Sequence, residues 1–297
     1  MNYADFKSQI IRMLKDYFKS DAKITVHPIT KNNNIKLDGL VIQEKSVNIS
    51  PTLYLNSYYK DYQNGISMEK IFENILKDYR KHRSSQNLEL SFFTQYDLVK
   101  YHIIFKVIHY ESNRELLRQA PHFRFLDLAV VFSCLLLDTP NGNATILILN
   151  SHMEYWNVTK EQLFAAATAN TPALLPFQIC PIDELLEEIM PGAVPAELKD
   201  AVPLYVMSNP SNLNGAAALL YPEYIQDFAR EKGCDFYILP SSVHEILLMP
   251  AEPDIDPDAL TMMIRQVNEN HVQKDEILSC HPYYYSREKQ EITMLST

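Results

Sequence analysis

The sequence predicts an α+β protein, with mixed, largely antiparallel sheets and packed helices. Strand-like segments return through short turns, most plainly where Thr139-Pro140-Asn141-Gly142 separates Phe123–Leu137 from Ala144–Leu149. Asn-Gly favours the positive φ angles of a hairpin tip. Amphipathic helices fall between these hairpins without the strict strand–helix alternation of a parallel sheet.

Each element has a local cause. Phe6, Ile10, Leu14 and Tyr17 recur at helical steps and predict a first helix over 3–18. Residues 23–29 and 35–43 then alternate as two strands around Asn32-Asn33-Asn34, a hairpin packed on that helix. Ser67 is placed to cap a helix running to about Arg83, with Ile71, Phe72, Ile75, Leu76 and Tyr79 as its inner stripe. A strand over 99–109 and a short helix over 113–118 follow, then the strand-like run 123–137. Thr159 starts a helix expected to stop at Asn170, before Thr171-Pro172. A helix over 182–190 and a strand over 204–207 come next, and Gly233 closes a helix over 224–232. Strands over 236–239 and 246–249 flank Pro240-Ser241-Ser242, a helix covers 258–270, and the tail from Ile277 to Met294 reads as irregular with one or two short strands.

Composition excludes several classes. The six glycines, of which Gly215 and Gly233 form the closest pair, cannot supply a phosphate-binding loop, a dinucleotide fingerprint or a G-x-S-x-G elbow. Charge is uneven. Residues 1–124 hold 19 Lys+Arg against 13 Asp+Glu, while the whole chain carries −10. A basic subdomain over 1–120 and an acidic one over 121–297, packed as one unit, are expected. The N-terminal segment mixes Asp5, Lys7, Arg12, Lys15 and Asp16 among its apolar residues, unlike a signal peptide. The apolar run 126–137 is too short to span a membrane. Cys134, Cys180, Cys234 and Cys280 are scattered and form no C-x-x-C. A cytoplasmic protein with reduced thiols and no membrane partner is the expectation.

The chemistry-bearing residues each have a competing structural explanation. Asp254-Ile255-Asp256-Pro257-Asp258 resembles a calcium loop, but Ala259 and Arg265 stand where glycine and glutamate are required. Asp256 as an N-cap with Pro257 at the first helical position explains it better. His152-Met153-Glu154 lacks the paired cysteines of a zinc deaminase. No metal or cofactor is expected. Ser241-Ser242-Val243-His244-Glu245 brings hydroxyl, imidazole and carboxylate together, so Ser241, Ser242, His244 and Glu245 are the catalytic candidates. The same spacing also fits a capping box between Ser242 and Glu245.

The segments Phe125-Leu126-Asp127-Leu128-Ala129-Val130-Val131-Phe132, Ala167-Thr168-Ala169-Asn170-Thr171-Pro172, Asn212-Leu213-Asn214-Gly215-Ala216-Ala217, Tyr237-Ile238-Leu239-Pro240-Ser241-Ser242-Val243-His244-Glu245 and Glu276-Ile277-Leu278-Ser279 together resemble an uncharacterised bacterial family, domain of unknown function 5688. A fainter similarity, confined to the later half, is to domain of unknown function 1444. The first resemblance implies one integrated fold in a bacterial cytosol, near genes of mobile elements. Neither implies an activity. The expectation is therefore a binding or regulatory accessory factor with an unknown protein or small-molecule ligand. A hydrolase using Ser241 or Ser242 with His244 is the alternative, and nucleic-acid contact through the basic first half is less favoured.

Overall fold

A computed structural model describes residues 1–48, 50–83, 91–139, 142–189, 203–252 and 255–295. It is an α+β fold with three mostly antiparallel sheets. The chain groups into two compact units, 1–93 with 136–144, and 94–135 with 145–297.

In the first unit, helix α1 (Tyr3–Phe18) is capped by Asn2, whose side chain accepts from the Asp5 amide. Strands β1 (Ala22–Lys31) and β2 (Ile35–Glu44) pair over their full length, with Asn33 and Asn34 at positive φ between them. Strand β3 (Thr52–Tyr54) completes the sheet beside β2. Helices α2 (Leu55–Gln63) and α3 (Met68–His82) follow; Ser67 Oγ accepts from the Lys70 amide, as its spacing predicted. Phe6, Ile10 and Leu14 pack with Leu40, Ile42, Leu55, Ile71 and Ile75 to form the core.

The second unit holds the elements that position the site. Helix α4 (Tyr96–Val99) and a 3-10 turn occupy the start of the expected strand, so β4 is only Ile103–His109. Helix α5 (Arg114–Leu117) follows. The run read as one strand is two: β5 (His122–Phe125) and β6 (Leu128–Thr139), paired antiparallel through the two residues Leu126 and Asp127. Leu126 has φ 55°, a conformation that glycine adopts without penalty and leucine does not. Strand β7 (Gly142–Leu147) returns along β6, and β4 covers the opposite part of the sheet. The Pro140-Asn141 tip lies outside the described residues.

Helix α6 (Asn150–Trp156) precedes α7 (Lys160–Leu174), which runs through Pro172 instead of stopping before it. Proline cannot donate to the Thr168 carbonyl four residues back. The Tyr221 hydroxyl donates there instead, at 3.0 Å, so tertiary contact replaces the missing helical bond. Strand β8 (Gln178–Pro181), α8 (Ile182–Ile189), β9 (Tyr205–Ser208), α9 (Pro222–Lys232), β10 (Phe236–Leu239), β11 (Ile246–Pro250), α10 (Pro257–Asn270), β12 (Tyr283–Ser286) and β13 (Glu291–Met294) complete the unit. Its larger sheet has the order β13-β12-β10-β11-β9-β8. Gly233 closes α9 at φ 75°, and Asp256 caps α10 through the Asp258 amide. Leu260 and Ile264 of α10 pack on Tyr237, Leu239 and Met249. No helix among the described residues is long and apolar enough to cross a membrane.

Candidate functional site

The segment Ser241–Glu245 joins β10 to β11 as a bend, not as a helical turn. Ser242 Oγ accepts from the amide of His244, two residues on, so the hydroxyl closes a local turn where a capping box was the structural expectation. The backbone is stitched to the chain before β12: the amides of Val243, Leu278 and Ser279 donate to the carbonyls of Glu276, Ser241 and Pro240. This leaves Ser241 6% and Ser242 3% exposed, too little for a substrate to reach either oxygen directly.

His244 is only partly buried, but its ring is committed. Its Nδ1 accepts from the Asn214 amide at 3.4 Å, which places the ring proton on Nε2, facing Glu276 Oε1 at 3.7 Å. Glu245 is half-buried just before β11. The approach of the 208–215 loop depends on Gly215. A Cβ there would lie 2.2 Å from the His244 carbonyl oxygen and 2.3 Å from Ser208 Oγ, the hydroxyl that donates to that carbonyl. The Asn214 side-chain Nδ2 is buried with no hydrogen-bond partner among the described residues.

The same returning segment builds a second cluster, which the residue pattern did not reveal. Ser279 Oγ, His281 Nδ1 and the Tyr283 hydroxyl all donate to the Asp127 carboxylate, at 2.6, 3.1 and 2.5 Å. His109 Nε2 stands 3.8 Å away. Burial first, and then the Asp127 charge, push the Tyr283 hydroxyl well above its ordinary pKa, so it remains a donor. Burial holds the His109 imidazole below its ordinary value, against the pull of Asp127. Because the carboxylate can only accept, His281 carries its proton on Nδ1 and turns Nε2 away. The only sequence signal for this cluster is Asp127 itself, a charge inside an apolar run.

His109 also contacts Ser112, whose Oγ lies 2.7 Å from Nδ1. Serine, imidazole and aspartate are thus in series, but the Ser112 amide also donates to the same nitrogen, at 3.3 Å. An imidazole accepting from both groups three residues on is closing a turn. Elsewhere, His152 Nδ1 accepts from the Leu149 amide as a cap of α6. No group of three or more potential metal ligands is found among the described residues.

The model of the family of unknown function DUF5688 matches residues 3–287. The chain belongs to that family. The DUF5688 match includes both the Asp127 cluster and the Ser241–Glu245 bend, and it brings no activity with it. No curated protein and no solved structure matches this DUF5688 chain.

Proposed function

We propose that this DUF5688 protein acts by binding, as a cytoplasmic accessory or regulatory factor, and not as a hydrolase built on Ser241 or Ser242. The observation that carries this reading is the state of His244. One ring nitrogen accepts from a backbone amide and the other faces a carboxylate, so neither is aimed at a serine hydroxyl. The bacterial, mobile-element setting that the family resemblance implies belongs to the same reading.

A fluorophosphonate probe tests it without knowledge of a substrate. The expected result is no labelling at Ser112, Ser241 or Ser242, with His244→Ala lowering stability. Labelling at any of the three that disappears when the adjoining histidine, His109 or His244, is replaced would overturn the proposal.

A further inference from the structure

We propose that the depression beside β5 and α5, lined by Tyr110, Arg114, Leu117, Arg118 and His122, is a binding site for a phosphate group. This deepens the binding reading above by naming the chemistry of one ligand. The depression measures about 300 Å³, the lower end of the range for small-molecule sites. Its lining contains the guanidinium groups of Arg114 and Arg118, an imidazole and a phenol, in a chain whose net charge is −10. Glu111 pairs with Arg114 beside the depression, so Arg118 supplies the uncompensated positive charge that favours an anion. The wider groove of about 610 Å³ beside Asp235 and Arg287 carries both signs of charge and selects no ligand class.

Arg114, His122 and Tyr110 have contacts outside the depression, while the Arg118 side chain is left to the ligand. Arg114 is gripped side-on by Glu111, Nε to Oε2 at 2.7 Å and Nη2 to Oε1 at 2.9 Å, which fixes the plane of its remaining donors. Arg118 has no side-chain partner among the described residues, while its backbone carbonyl accepts from Asn150 Nδ2 at 3.2 Å. His122 Nδ1 contacts the Ala120 carbonyl at 2.9 Å and so carries a proton, leaving Nε2 uncommitted. The Tyr110 ring also lines the depression. It lies 6.0 Å from the His122 ring and is covered on another side by the Arg124 guanidinium, 4.7 Å from its centroid. Arg124 Nε in turn donates to the carbonyl of Leu126, the strained residue of the β5–β6 turn. The guanidinium fork of Arg118, with the remaining donors of Arg114, matches the tetrahedral oxygens of a phosphate better than a point charge does.

The test is a titration of the full-length protein with inorganic phosphate at constant ionic strength, chloride being the replaced anion, read by the His122 ring resonances. The expected result is a saturable shift, weakened about tenfold or more by Arg118→Ala, since a hydrogen bond to a charged group is lost. Arg118 is exposed, so the variant is expected to fold; Arg80→Ala, in the other compact unit, leaves the affinity unchanged. O-phosphoserine forms a second arm. Tighter binding than inorganic phosphate assigns the site to a phosphate ester, and weaker binding assigns it to free phosphate; both support an oxyanion site. No saturable shift, or a shift that Arg118→Ala leaves intact, overturns the proposal. That failure is separable from failure of the binding reading, which is decided by serine labelling alone.

Discussion

At the scale of single residues, Gly215 and His109 are the positions where the structure makes the sharpest demands. Gly215→Ala forces a methyl group to within 2.2 Å of the His244 carbonyl oxygen, against backbone that cannot swing aside. A loss of about 1–3 kcal/mol is expected, the usual cost of overpacking, and urea unfolding measures it. An unchanged midpoint would mean that the 208–215 loop does not approach the bend this closely. His109 gives a pH dependence. Burial lowers its pKa, so below about pH 6.5 the unfolded chain takes up the proton first. Stability from this group is therefore complete above that pH and declines as pH falls toward the folded value. Asp127, His281 and Glu111 share its surroundings, and His152, whose pKa burial also lowers, contributes a slope of the same sign. His109→Gln should flatten the acid limb of a stability-versus-pH curve; an identical slope in the variant would remove His109 as its source.

At the scale of elements, two helices show different sources of order. Helix α3 begins where a local rule says it should, and Ser67→Ala is expected to cost about 1 kcal/mol through the lost cap. Thermal melts of the two proteins give the difference. Helix α7 breaks a local rule by running through Pro172, and its support is the Tyr221 hydroxyl on the Ala167 and Thr168 carbonyls. Tyr221→Phe keeps the buried ring and removes only that hydroxyl, so a loss of about 0.5–1.5 kcal/mol is expected. Hydrogen exchange around 167–174 should rise at the same time. If exchange there is unaltered, the helix is held across the proline by something else. The β5–β6 turn has the same logic. A leucine at positive φ costs about 1–3 kcal/mol, and the neighbouring Asp127 is fixed by donors from the far end of the chain.

At the scale of the whole molecule, the cysteines offer the simplest check. None is in a disulfide, and Cys134 is fully buried in β6, where burial pushes its thiol up to about 12. Titration of the denatured, unreduced protein should find all four thiols. The native protein should leave Cys134 unmodified, because a reagent needs both access and a thiolate. Rapid native labelling of Cys134 would contradict the packing of the β4–β6 sheet.

The sequence by itself determined the α+β class, the two hairpin signals in the first half, the caps at Ser67 and Asp256, the Gly233 stop and the residue types of the Ser241–Glu245 segment. These are legible because periodicity, capping and turn chemistry act over a few residues. Tertiary structure alone decided three other features. It split the 122–139 run at Leu126, carried α7 through Pro172, and gathered Ser279, His281 and Tyr283 onto Asp127 across 152 residues or more. In each case a local preference is overruled by hydrogen bonds between distant segments. Such bonds depend on how the folded chain returns on itself, and no spacing along the sequence encodes that return.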